Sequence, residues 1–183
     1  MARLKTAVGK KDHRLGTDVA PITLVEYGDF QCPHCGLAHP LIKKLLHEMG
    51  EQILFVFRHF PLQEVHPHAF HAALASEAAG QQGKFWIMHD LIFENQNRLG
   101  TQMLLDLAEN IPLDMREFAK DWQSRDSVEK VETDFESGVR SGVNGTPGFF
   151  VNGNHLFTYD ETYESLADAV QLALEMKTPD TFF

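Results

Sequence analysis

Phe30-Gln31-Cys32-Pro33-His34-Cys35 is the stretch on which the reading of this chain turns. Just before it, Ile22-Thr23-Leu24-Val25-Glu26-Tyr27 is β-branched and apolar and is bounded by Pro21 and Gly28, the pattern of a buried strand. Just after it, Leu37, Leu41, Leu45, Leu46 and Met49 recur at helical spacing until Gly50. The hexapeptide therefore lies where a strand gives way to a helix. Pro33 suits the first helical position, because the N–H it lacks would have no partner there. Cys32 then falls at the cap, its sulfur facing free N–H groups and the positive end of the helix dipole, which stabilise a thiolate. His34, when protonated or donating, adds to that effect. Cys35, one turn inward, is expected to be more buried and less acidic. An exposed acidic sulfur beside a buried one is the asymmetry that disulfide exchange requires: the first attacks or is attacked, and the second resolves the mixed disulfide.

These are the only two cysteines among 183 residues, so no disulfide framework staples the fold. Chance places two cysteines three apart in about one case in ninety, and the spacing calls for redox chemistry or metal binding. Cys32 and Cys35 with His34 and His39 offer half of a zinc site. There is no second cysteine pair, however, and Pro33-His34 opens a helix instead of a knuckle, so no metal is expected.

Outward from this centre, Ile53-Leu54-Phe55-Val56-Phe57 is a second apolar strand ending near Arg58. Strand, helix, strand makes a βαβ unit with parallel neighbouring strands. Phe70, Ala73, Leu74, Trp86, Leu91, Ile92, Leu104, Leu107, Phe118 and Trp122 then predict several short helices over 66–124. A further helix is predicted over Ser127 to Val139. Gly148-Phe149-Phe150-Val151 reads as a strand, Asn152-Gly153 as a hairpin turn into His155-Leu156-Phe157, and about Glu161 to Met176 as the last helix. The fold class is thus α/β: a mixed sheet, βαβ then ββα, flanked by helices. Residues 1–20 are expected to be a partly flexible lead-in.

Composition narrows the function. Lys+Arg total 16 against 26 Asp+Glu, a formal net charge of −10 that works against nucleic-acid partners and anionic membrane surfaces. No stretch approaches the ~18 apolar residues of a membrane span. Met1 to Ala20 lack the apolar segment of a secretory signal, so a cytoplasmic location is expected as the sequence stands, or a periplasmic or extracytoplasmic one where a signal has been removed.

Glu26-Tyr27-Gly28-Asp29-Phe30-Gln31-Cys32-Pro33-His34-Cys35, together with the distant Gly145-Thr146-Pro147-Gly148-Phe149-Phe150-Val151-Asn152-Gly153, resembles the DsbA-like thiol–disulfide oxidoreductases of the thioredoxin superfamily. The resemblance runs from about Asp12 to Met176. It implies a thioredoxin-like fold over 21–62 and 125–178 with an inserted helical subdomain over 63–124. It also implies that Cys32 is the nucleophile, Cys35 the resolving thiol and Glu26 a buried acid that exchanges a proton with Cys35. Pro147 corresponds to the family's cis-proline, which sets Thr146 beside Cys32 and offers its backbone to a substrate strand. The catalytic set is then Cys32, Cys35, His34, Pro33 and Glu26, with Thr146, Pro147 and Gln31 as substrate-binding residues. Pro40, inside the first helix, is expected to bend it. No cofactor is implied beyond the redox-active Cys32–Cys35 disulfide. Partners are protein or peptide thiols or disulfides and a redox partner that recycles the site. A DsbA-like oxidase is the first reading. A cytosolic reductase or isomerase is the alternative, since Thr146 leaves the direction of electron flow open, and a non-catalytic metal-binding or chaperone-like module is the second.

Other signals are weaker. His59, His66, His68 and His71 cluster in sequence and are expected to be solvated or capping groups beside the groove. Phe85-Trp86 and Phe149-Phe150 are expected to be mostly core. Asp126, Glu129, Glu132, Asp134 and Glu136 read as a solvated helix face.

Overall fold

A computed structural model describes residues 2–177, so Met1 and the domain boundary placed at 178 lie outside the described residues. The chain forms β1 (His13–Leu15), β2 (Ile22–Gly28), α1 (Pro33–Met49), β3 (Ile53–His59), α2 (Ala69–Gln81), α3 (Phe85–Glu94), α4 (Thr101–Glu109), α5 (Met115–Trp122), α6 (Arg125–Ser141), β4 (Gly148–Val151), β5 (Asn154–His155) and α7 (Tyr163–Glu175). The strands make one sheet in the order β1-β3-β2-β4-β5. β2 runs parallel to β3 and antiparallel to β4. This is the mixed α/β sheet of a thioredoxin-like fold.

β2 and β3 are buried almost throughout because helices cover both faces, which is why they read as continuous apolar runs. Side chains of a strand alternate between faces. Ile22, Leu24, Phe55, Phe57, Phe149 and Val151 therefore belong to one core with α1 and α7, while Val25, Tyr27, Val56 and Phe150 belong to a second core on the other face, with Phe135 of α6 packed against it. α6 comes close at Gly138, where a Cβ would overlap the rings of Phe60 and Tyr27. Asn152 (φ 48°) and Gly153 (φ 79°) form the turn between β4 and β5. β5 is shorter than expected, since Leu156 and Phe157 lie beyond it. The helices α2 to α5 fall within 63–124, and their apolar side chains share the first core with α1 and the sheet.

Within the lead-in expected to be partly flexible, several residues between 3 and 15 are tied to the rest of the fold. β1 pairs antiparallel with β3, Arg3 bridges Asn154, and Leu4 N donates to Gly153 O at 2.9 Å. The physical reason is Arg58, a fully buried cation. It donates to both carboxylate oxygens of Asp12 (2.8 and 3.1 Å), to the carbonyls of Thr6 (3.0 Å) and Ala7 (3.2 Å), and to the Tyr27 hydroxyl (2.9 Å). A buried charge must be paired, and the lead-in supplies most of the partners. No helix among the described residues is long and apolar enough to cross a membrane.

Candidate active site

The loop between β2 and α1 is built around Asp29, which is almost fully buried. Its Oδ1 accepts from Gln31 N (2.7 Å) and Cys32 N (3.2 Å), and its Oδ2 from Leu62 N and His66 Nδ1 (both 2.8 Å). Its own N–H donates to Cys35 Sγ at 3.4 Å. The helical block adds two braces. His68 N donates to Gln31 Oε1 at 2.6 Å, so Gln31 joins the loop to the start of α2. Gln96 Nε2 donates to the carbonyls of Phe30 (2.9 Å) and Cys32 (2.8 Å), passing where a Cβ on Gly36 would collide with it. Asp29 and Gln96 were not among the residues singled out in the sequence. An Asp three residues before the cap of a helix is an Asx-turn signal and makes Asp29 findable. Gln96 carries no such mark.

Cys32 is the N-cap of α1, with Pro33 in its first turn. The sulfur is less open than expected: Cys32 is only 4% exposed, and its Sγ lies 3.2 Å from the carbonyl oxygen of Thr146, to which the thiol donates. The Thr146–Pro147 peptide is cis. Cys35, at 0% exposure, lies wholly in the core. Both cysteines are free thiols. A hydrogen bond from the Cys35 thiol, then the Thr146 side chain and the N–H groups of Cys35 and His34, bring the Cys32 thiol down from 9.0 to about 5 against the opposing effect of burial. Burial first, then the same hydrogen bond between the two sulfurs and the charges of Glu26 and Cys32, push Cys35 well above the usual thiol range.

Glu26 lies on the α1 face of β2, because it alternates with Ile22 and Leu24, and faces Phe57 and Phe149 on the neighbouring strands. It is 2% exposed and its Oε1 has no hydrogen-bond partner. Burial, and then the charge on Cys32, push its carboxyl up from 4.5 to about 8. Between those values the folded protein retains a proton that the unfolded chain releases, so this group's contribution to stability falls as pH rises. Glu26→Gln is expected to remove that slope. Its stability relative to the parent should climb as pH rises above about 4.5, by at most ~5 kcal/mol for a carboxyl held at about 8, and by less in the disulfide form, where the Cys32 charge is absent. Denaturant titration of the disulfide form, in which neither sulfur titrates, checks this; a gap that does not change with pH contradicts it.

His34 departs from its expected part. Its ring turns outward, with Nδ1 2.6 Å from Glu161 Oε1, and only its backbone N–H is among the groups that hold the Cys32 thiolate. Tyr159, also not singled out in the sequence, packs edge-on against Phe149 at 4.8 Å. Its buried hydroxyl has no partner, and burial with the nearby Glu26 charge pushes its pKa up. Pro40 lies inside α1, as read from the sequence. Of the histidines expected to be solvated or capping, His59 is instead buried and bonded to Glu77 (2.7 Å), His66 bonds to Asp29, and His68 precedes α2. Among the described residues, His and carboxylate groups converge as His13–His59–Glu77 and as His39–His89–Asp90, neither of which includes a cysteine.

Comparison with known proteins follows this geometry. A family described as "Thioredoxin" matches residues 9–171. The chain is 44% identical to a Na(+)/H(+) antiporter NhaA 1 of Salinispora arenicola over 164 residues, which are 89% of this chain and 25% of that protein. It is 41% identical to a Na(+)/H(+) antiporter NhaA 1 of Mycolicibacterium vanbaalenii over 78% of this chain and 24% of that protein. It therefore spans about a quarter of the length of these curated relatives. Among solved structures, oxidised BdbD from Bacillus subtilis superposes with a TM-score of 0.79 at 24% identity, covering 91% of this chain and 94% of that one. Alpha-DsbA1 from Wolbachia pipientis gives 0.75 at 23%, covering 92% of both chains. At these identities the likeness establishes a shared fold.

Proposed function

The chain belongs to the thioredoxin family, and on that premise we propose that it exchanges disulfides with protein or peptide thiols through Cys32, in the direction of substrate oxidation. One arrangement carries the reading: Cys32 caps α1 with its sulfur on the Thr146 carbonyl at the cis peptide, while Cys35 lies wholly in the core, so the first thiol is drawn down to about 5 and the second is pushed up. Exchange begins from the Cys32–Cys35 disulfide. A substrate thiolate attacks Cys32 Sγ, a new sulfur–sulfur bond forms, and the old one breaks with its electron pair going to Cys35. Cys35, whose thiol form is favoured by burial, then takes a proton, for which the carboxyl of Glu26 is the buried source. A second thiolate of the substrate attacks the substrate sulfur of the mixed disulfide. Cys32 departs as a stabilised thiolate and the substrate leaves oxidised. The reduced pair then needs an electron acceptor to return to the disulfide.

The acidity of Cys32 sets the direction. A thiolate favoured at neutral pH stabilises the dithiol, so the disulfide becomes the stronger oxidant, by ~60 mV at pH 7 relative to a couple whose thiol still holds its proton there. Thr146 and Pro147 are the proposed edge for an extended substrate, and Gln31 supports the loop that carries Cys32. Sodium–proton exchange, for which the longer relatives are named, is not carried over to this chain.

Equilibration with glutathione, alongside thiolate absorbance against pH, tests the reading. An acidic Cys32, a reduction potential above about −200 mV and conversion of a reduced peptide to its disulfide are expected. A potential near the −270 mV of thioredoxin, with turnover of insulin disulfides, would make the protein a reductase. Stoichiometric metal lost on Cys32→Ser, without thiol turnover, would make it a metal-binding module.

A further inference from the structure

Glu161 has φ +68°, in the left-handed region that suits glycine and disfavours a side chain of this kind. It lies in the link between β5 and α7, and the link is held independently of it. Asp160 accepts from the N–H (3.2 Å) and hydroxyl (2.6 Å) of Thr162, and Thr162 in turn caps α7 by accepting from Ser165 N at 3.2 Å. Nothing in that arrangement requires a glutamate at 161, and its backbone conformation argues against one. What the side chain does is reach across 127 positions of sequence to His34 Nδ1 at 2.6 Å. His34 stands between the two cysteines, on the first turn of the helix whose tip holds the Cys32 sulfur.

We propose that Glu161 is a positioning residue that holds the His34 ring away from the Cys32 sulfur and balances its charge, and so restrains the oxidising strength of the Cys32–Cys35 pair. This rests on the disulfide-exchange reading above. The titratable groups that meet the Cys32 sulfur are Cys35 and His34 on α1 and Glu26 on β2, and Glu161 joins this set through His34 and Tyr159 through Glu26. Of these, His34 is the one that can present a positive charge. Removing the Glu161 carboxylate leaves a protonated ring uncompensated, two residues from Cys32, and frees it to approach the sulfur. Without Glu161, Cys32 becomes more acidic and the disulfide more oxidising.

Thiolate absorbance against pH and equilibration with glutathione read the effect in Glu161→Gln, Glu161→Gly and His34→Ala. Glu161→Gln is expected to increase the ionisation constant of Cys32 about 2- to 3-fold, a modest effect because the pair is half-exposed. The glutathione equilibrium should move toward the dithiol by the same factor, about 10–15 mV. Concentrated salt should shrink both changes. Glu161→Gly should acidify Cys32 equally while raising the melting temperature, because glycine accepts this backbone conformation. A merely structural role would move stability and leave the thiol alone. In the His34→Ala background, Glu161→Gln should leave the Cys32 titration in place. A Cys32 titration that does not move, or moves upward, in Glu161→Gln overturns the proposal, as does a shift that survives undiminished without His34. These differences are read on the dithiol itself, so they stand apart from wild-type turnover, which tests the oxidase reading.

Discussion

Cys35→Ser is expected to stop turnover and to leave the protein joined to its substrates through Cys32. With only one sulfur left, a disulfide-bonded substrate can still be attacked by the Cys32 thiolate. That attack breaks the substrate disulfide, sends its electron pair to the departing substrate thiolate and leaves a mixed disulfide on Cys32. No internal thiol can then resolve it, so release waits for an external thiol, and turnover should fall by about 100-fold or more. The partition of roles comes from burial. Cys32 is at the helix tip with its thiolate hydrogen-bonded, whereas Cys35 is wholly in the core and held as a thiol. Non-reducing electrophoresis with mass spectrometry of the trapped species checks the outcome. Cys32→Ser should trap nothing. Accumulation on Cys32→Ser in place of Cys35→Ser would mean the roles are reversed.

Asp29→Ala is expected to cost about 3–5 kcal/mol of folding stability, because it strands several buried donors at once. The backbone N–H groups of Gln31, Cys32 and Leu62 and the ring of His66 all converge on this one carboxylate. Each unpaired buried donor costs about 1–3 kcal/mol, and these share one partner, so the costs do not simply add. For a chain of this length the melting temperature should fall by about 8–15 °C. Asp29→Asn keeps the shape and one strong acceptor oxygen, so about half of the loss is expected. Thermal unfolding of the disulfide form, which holds the redox state constant, measures both variants. An alanine variant within ~1 kcal/mol of the parent would show that water replaces the carboxylate and that the loop needs no such centre.

Much of the framework is legible in the sequence because it is written at short range. The strand Ile22–Gly28, the helix from Pro33 and the strand Ile53–His59 are local patterns of apolar period and helix-breaking residues. Cys32 at the helix tip follows from Pro33 alone. Resemblance, more than spacing, pointed to Glu26 and Pro147, since a glutamate on a doubly covered strand has no period to betray it. The ties of the lead-in have no local signal because their partner, Arg58, lies more than forty positions away on β3. His34 was assigned by proximity to the sulfur, yet its ring answers to Glu161 across 127 positions.

The sequence by itself determined that a strand, two cysteines and a helix meet at one point, and that the sulfur at the helix tip would be the acidic one. Backbone dipoles and steric period act within a few residues, and no tertiary contact is needed to read them. Only the tertiary structure decided which groups surround that site: the Thr146 carbonyl over the sulfur, Gln96 and Asp29 bracing its loop, Glu26 Oε1 and the Tyr159 hydroxyl buried without hydrogen-bond partners, and Glu161 on the imidazole. Those relations depend on burial and on distances of a few ångströms between segments far apart in the chain, quantities that exist only once the layers have packed.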